Sequence, residues 1–177
     1  MNYITAGTQP WTVKVFDRLR ATVPAHWTHV QTPTALFDAC AEAIPRAVFV
    51  LHWHWWIPSH LWQAIEMINL HAAPLPWGRG GNVIEHQLLL GRTSTTLTAH
   101  RVTGALDAGP IYGTRGPISL AGTRDDILAR FVDPAVDLIA WIIREHPQPV
   151  PQTGEVVTFQ RLPPDEYERF WEARARG

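Results

Sequence analysis

Two residues apart in the run Met67-Ile68-Asn69-Leu70-His71 stand an asparagine and a histidine, an amide and an imidazole with complementary chemistry. If the run is a strand, side chains two apart face the same way, so Asn69 and His71 can meet one substrate from one side. The loop that follows, APLPWGRGG, carries prolines and glycines that predict irregular backbone, which puts the pair at the C-terminal end of its strand, where open α/β sheets place ligands. On spacing alone the plainer reading, a polar finish to a strand, has the advantage. Asp107 sits in Leu-Asp-Ala-Gly-Pro, where Gly109 and Pro110 fix the backbone beside a carboxylate. Taken singly, this is an Asx turn. A third group is His52-Trp53-His54-Trp55-Trp56-Ile57-Pro58. His52 and His54 could join His71 around a metal, yet no acidic or thiol ligand completes the set, so the expectation is no metal and aromatic packing around a ligand pocket.

The elements that must position these residues read as strands alternating with helices. Residues 3–6 are β-prone and broken by Gly7, and Trp11, Val15 and Leu19 then repeat at helical spacing behind Pro10. HWTHVQ is a second strand, and Thr32-Pro33 opens a helix with Leu36, Cys40 and Ala43 on one face, closed by Pro45. RAVFVLHW has the continuous apolar character of a central parallel strand. A short helix around SHLWQAI precedes MINLHA. NVIEHQLLLG reads as a helix ended by Gly91, TTLTAHRV as a strand, and IYGTRGPISL as an extended segment with a Gly-Pro interruption. A capping-box start at Thr123 and Asp126 begins a helix expected to kink at Asp133-Pro134. The proline-rich HPQPVPQTG reads as a stiff linker, EVVTFQRL as one more strand, and PPDEYERFWEARARG as a terminal helix with Tyr167, Phe170 and Trp171 near one face. The expected fold is α/β: a compact Rossmann-like, mostly parallel sheet with helices on both faces, plus a short C-terminal strand-helix tail. The division is 1–146 for the main domain and 147–177 for linker and tail.

Composition narrows the field. With 177 residues, 46% hydrophobic and 18% charged, the chain has the balance of one ordered domain. Fifteen basic against sixteen acidic residues give no electrostatic case for a nucleic-acid backbone or an anionic membrane. One cysteine, Cys40, suits a reducing cytosol, and no run is long and apolar enough to span a bilayer or to mark a signal peptide. The expected location is cytoplasmic. Nine tryptophans and nine histidines are the excess that composition alone leaves open.

MINLHAAPLPWGRGGNVIEHQLLLG, followed by TLTAHRVTGALDAGPIYGTRGPISL, closely resembles the catalytic region of the folate-dependent formyltransferases over roughly residues 46–122. Asn-x-His, the Leu-Pro…Arg-Gly loop and Leu-Asp-x-Gly-Pro occur together and in order, which is specific where each alone is weak. The resemblance implies transfer of a formyl group from N10-formyltetrahydrofolate to an amine, with Asn69, His71 and Asp107 as the catalytic set and no metal. An amine attacking the formyl carbon builds negative charge on the formyl oxygen, which the Asn69 amide and a protonated His71 would stabilise. Asp107 would then raise the His71 pKa and help carry the amine's proton away. By the same resemblance the folate pterin lies against segment 53–58 and loop 102–107, with Trp56, Ile57, Val102 and Gly104 as cofactor-binding positions. Trp77, Arg79 and His86, around the Gly-rich loop, are the expected substrate contacts.

The acceptor is the open part of the resemblance. Family members that act on methionyl-tRNA carry a further C-terminal domain for which the length leaves no room, and those that act on glycinamide ribonucleotide have a Gly-rich phosphate loop where this chain has Ala-Gly-Thr-Gln-Pro-Trp. The expectation is therefore a small-molecule amine, an amino sugar either free or nucleotide-linked, with no nucleic acid and no membrane as partner. The Asn-x-His element also arrives early, as though one βα unit of larger relatives were missing. The C-terminal tail is a candidate homodimer surface. Two rivals are a formyltetrahydrofolate hydrolase, using water as acceptor, and a folate-binding relative without catalysis.

Overall fold

The computed structural model describes residues 1–176. Strand β1 (Asn2–Gly7) leads into helix α1 (Pro10–Thr22), where Pro10 occupies the first turn, the one place in a helix where its missing N–H costs nothing. β2 (His26–Val30), α2 (Pro33–Glu42), β3 (Ala47–Leu51), α3 (Ser59–Ala64) and β4 (Met67–His71) continue the alternation. α2 repeats the N-terminal proline, with the Thr32 hydroxyl accepting from the Ala35 N–H. β5 (Trp77–Gly80) and α4 (Val83–Leu89) lead to the hairpin strands β6 (Ser94–Arg101) and β7 (Ile111–Ser119). α5 (Arg124–Ala129), α6 (Val132–Glu145), β8 (Val157–Phe159) and α7 (Pro164–Arg176) complete the chain.

Six strands form one sheet in the order β2-β1-β3-β4-β6-β7, with β2, β1, β3 and β4 mutually parallel and β6 and β7 antiparallel. This is the expected Rossmann-like α/β sheet. Every residue of β3 is buried, and its alternation divides the core between the two faces. Val48 and Val50 pack with Leu36 and Cys40 of α2 and Leu61 of α3, while Phe49 and Leu51 pack with Val15 and Leu19 of α1 and Leu138, Ile139 and Ile142 of α6. Each such fully buried side chain contributes about 1.5–3 kcal/mol of burial. Both layers converge on the C-terminal ends of β3 and β4.

Three sequence expectations change. The stretch Trp77–Gly80, expected to be loop because of its glycines, is a strand that pairs in parallel with β8. The glycine permits the pairing: a Cβ on Gly80, whose φ is 99°, would lie 2.1 Å from the Phe159 carbonyl oxygen. The kink expected at Asp133-Pro134 falls earlier, between Ala129 and Val132, so Pro134 sits in the first turn of a new helix. The last strand is three residues long and pairs with β5, forming a separate two-stranded ribbon away from the edge of the main sheet. The tail folds back on its own domain. His86 stacks on Phe159 at 4.5 Å, Trp171 donates its indole N–H to the buried Glu85 at 2.9 Å, and Arg174 bonds the carbonyls of Leu120 and Gly122.

Candidate active site

Asn69 and His71 project from the end of β4, and antiparallel pairing sets His100 of β6 directly opposite Asn69. The β6–β7 connection then brings Asp107 back over them. That connection has little freedom: a Cβ on Gly109 would lie 1.8 Å from the Arg101 carbonyl oxygen, and Asp107 itself is held at φ 46°, in the left-handed region. Its carboxylate side chain is 10% exposed, beside His71 at 9% and His100 at 3%.

Asp107 is the hub. Oδ2 accepts the Gly80 N–H at 2.9 Å and lies 3.7 Å from His71 Nδ1. Oδ1 accepts from Asn69 Nδ2 at 3.3 Å and lies 3.4 Å from His100 Nε2. Asn69 Nδ2 is also 3.1 Å from His100 Nε2, and His100 Nδ1 is 3.0 Å from the Arg101 carbonyl. A carbonyl can only accept, so His100 Nδ1 carries a hydrogen. Its Nε2 accepts the Asn69 amide when bare and donates to Asp107 when protonated. With Nε2 bare, both amide hydrogens of Asn69 are engaged.

The same reasoning places the His71 proton. Nε2 lies 2.7 Å from the Gly78 carbonyl, so the hydrogen sits on Nε2 and Nδ1 presents its lone pair toward Asp107 and the site. Burial pushes the His71 pKa below its usual value; the Asp107 charge and the Gly78 carbonyl pull it up without overcoming that cost, and His100 lowers it further. The expectation of a His71 raised into its protonated form by Asp107 is therefore corrected: desolvation wins, and the imidazole is neutral near pH 7. For Asp107 the balance goes the other way. Burial pushes its pKa up, but hydrogen bonding to His100, the nearby His71 and the Gly80 N–H outweigh it and hold the carboxyl at about 2.

Among the expected folate contacts, Ile57 is buried in one apolar cluster with Val102, Trp53 and Trp62 against Val50 and Met67, and Gly104 lies against the Trp62 ring. Trp56 is 69% exposed and stands outside that cluster, whose tryptophans are Trp53 and Trp62. The expected acceptor contacts are largely engaged within the chain. Trp77 packs edge-on to Phe159 with the Arg92 guanidinium 3.8 Å above its ring, and His86 Nε2 lies 2.8 Å from the Gln160 carbonyl beside its stack on Phe159. Both pin the tail. Arg79 donates from Nε and Nη2 to Gln152 Oε1 at 3.2 and 2.7 Å. His52 and His54 do not converge with His71, and among the described residues no group of three or more His, Cys, Asp or Glu is placed to hold a metal.

Two site residues escape sequence reasoning. His100 becomes visible only once β4 and β6 are known to be neighbours in register. Gln152 lies in the proline-rich stretch read as linker, and its Nε2 donates to the carbonyls of both Asp107 and Gly109 at 2.8 Å. Nothing in the local sequence marks it.

A buried carboxylate tying an amide and an imidazole at the C-terminal edge of a mostly parallel sheet defines the class of site, and the sequence profile of the formyl transferase family matches residues 12–142. The chain belongs to that family. A methionyl-tRNA formyltransferase of Thermobifida fusca is 34% identical over 116 residues, which cover 62% of this chain and 36% of that protein. The chain thus spans about a third of the length of the curated relatives it matches first. Among solved structures, methionyl-tRNA formyltransferase from Clostridium thermocellum superposes with a TM-score of 0.88 at 28% identity, covering 94% of this chain and 74% of that one. HypX from Aquifex aeolicus in complex with tetrahydrofolic acid shares the fold, with a TM-score of 0.76 at 16% identity over 91% of this chain and 30% of that one.

Proposed function

We propose that this chain transfers a formyl group from N10-formyltetrahydrofolate to a primary amine, with Asn69, His71 and Asp107 as the reacting set. The observation that carries the reading is the convergence of all three on one point, with a bare Nδ1 on His71 and a carboxylate held ionised beside it. Ile57, Val102 and Trp62 belong to one apolar cluster, with Gly104 against the Trp62 ring, and an apolar surface of this kind suits a flat heterocycle. Bound there, the folate supplies an activated one-carbon unit whose oxygen gains negative charge as an amine adds.

His71 Nδ1 would take the proton that the attacking amine must lose and Asp107 would stabilise the imidazolium that results; as the bond between the formyl carbon and N10 breaks, the same proton would pass to N10 and tetrahydrofolate would leave. Asn69 donates an amide hydrogen to the developing oxyanion, releasing it from His100 or Asp107. Asn69 cannot titrate, so its contribution is independent of pH. The Gly78 carbonyl keeps the His71 ring in the productive tautomer.

For the acceptor, the near-neutral charge supports a small molecule, an amino sugar free or nucleotide-linked. A second reading, the α-amine of an aminoacyl-tRNA, is favoured by the names of the relatives, and the expected exclusion of nucleic acid does not stand against them. Incubation with N10-formyltetrahydrofolate and separate pools of amino sugars, nucleotide-linked amino sugars, amino acids and charged tRNA, read by mass spectrometry, assigns the acceptor. A mass gain of one formyl group on a sugar amine supports the first reading, and on tRNA the second. Formate release without any amine marks a hydrolase. Folate binding with no turnover in any pool overturns the catalytic reading.

A further inference from the structure

Gln152 uses every hydrogen-bonding site of its side-chain amide. Both Nε2 hydrogens go to backbone carbonyls, those of Asp107 and Gly109, and both Oε1 lone pairs receive Arg79. These contacts close a ring around the carboxylate. Gln152 grips the main chain of Asp107, Arg79 grips Gln152, and the next residue along β5, Gly80, donates its N–H to Asp107 Oδ2. The residue so gripped sits at φ 46°, where an L-residue stays only if its surroundings hold it.

We propose that Gln152 is a positioning residue that clamps the Asp107 turn, so that the carboxylate stays aimed at His71 and Asn69. The kinetic part of this proposal rests on the formyl-transfer reading. The chemistry demands an amide at this position. A glutamate keeps one oxygen as acceptor for Arg79 but turns its other oxygen toward two carbonyls that need donors, and a methionine of similar length offers neither. Three segments far apart in sequence, the 77–80 strand, the 107–109 turn and the 147–156 connection, are joined through this one side chain. Misplacing a reacting group by about 1 Å can cost on the order of 100-fold in rate, so a loosened turn should show in kcat.

The test compares wild type, Asp107→Asn, Gln152→Met and Gln152→Glu in the full chain. Circular dichroism and urea unfolding establish that each variant is folded at the assay temperature. With the acceptor found above, Gln152→Met should lower kcat by about 10-fold or more with little change in KM for the folate, and Gln152→Glu should lower it at least as far. Restoration of wild-type kcat by Gln152→Glu would show that the Arg79 bond alone matters and overturn the clamp. An inactive wild type with every acceptor would sink the formyl-transfer reading but not the clamp, which has its own readout. The His71 imidazole titration, followed by NMR, should move in Gln152→Met as the carboxylate drifts from it. A His71 titration that matches wild type in a folded Gln152→Met would overturn the proposal.

Discussion

Replacing Asp107 with asparagine keeps the side chain's size and removes its charge, which isolates the electrostatic role of the hub. The carboxyl pKa is held at about 2 against an ordinary 3.8, which favours the charged folded form by roughly 2 kcal/mol. Because the folded value is the lower one, this stability is complete above the ordinary carboxyl range and is lost as pH falls through 3.8 towards 2. Integrating between those limits, the wild type should exceed Asp107→Asn by about 2 kcal/mol at pH 5 and by only about 1 kcal/mol at pH 3. The hydrogen bond to His100 and the nearby His71, which gains charge as pH falls, are part of what holds the carboxyl down, so the comparison belongs on the acid side. Urea unfolding at pH 5, 4 and 3 measures it, with the midpoint at pH 5 displaced by on the order of 1 M for a chain of this size. In the same variant, formyl transfer should fall by about 100-fold or more, since the imidazolium loses its counter-charge. Equal stability of the two proteins at pH 5, or a gap that fails to narrow by pH 3, would refute the placement of an ionised carboxylate at the hub.

Asn69→Ala should lower kcat by on the order of 100-fold while leaving folate affinity within a few-fold, as steady-state kinetics and a binding titration can show; turnover near wild type removes Asn69 from the oxyanion role. For His71 the folded pKa lies below the ordinary 6.5, so the unfolded chain takes up the proton first and the residue's contribution to stability is lost as pH falls below about 6.5. Activity should have its acidic limb on the same side, below 6.5, and a kcat/KM profile with the limb above that value contradicts a buried neutral base. Gly109→Ala forces a methyl into the Arg101 carbonyl, where the space is 1.8 Å, and should either unfold the chain or displace the turn. A thermal melt and activity equal to wild type would show that the turn is not locked there.

The parts of the fold legible in the sequence are those set by local periodicity. Val15 and Leu19 one turn apart, the unbroken apolar run of β3 and the Thr123–Asp126 capping box each specify their element from within a few residues. The strand at Trp77–Gly80 was hidden because its glycines are there for a partner eighty residues away, and glycine content alone says turn. The helix break falls at 130–131 and not at Asp133-Pro134, because a proline in the first turn accompanies a helix start and does not interrupt one. Asn69, His71 and Asp107 were legible as residue types, and strand alternation put the first two on one side. Their partners were not. His100 depends on register between two strands and Gln152 on tertiary packing, neither of which leaves a local pattern.

The two groups nearest the chemistry differ in a way that residue identity does not reveal. Asp107 and His71 are 3.7 Å apart and nearly equally buried, yet one is pushed toward its charged form and the other toward its neutral form. Burial opposes charge on both, so the difference lies in the partners. Asp107 has donors around it, including a backbone N–H that cannot be titrated away, while the hydrogen-bonded side of His71 faces only a carbonyl, which satisfies one N–H in either protonation state. An ion pair at rest would have filled Nδ1 with a proton and left no base for the amine. Under the proposed transfer, the hydrogen bonds from His100 and the Gly80 N–H help keep the carboxylate charged, so its field is available when His71 becomes positive, while Nδ1 stays unprotonated until then. In that proposed formyl transfer, the opposite directions of the two pKa shifts favour proton movement from the acceptor amine to His71 over movement from His71 to the formyl oxygen.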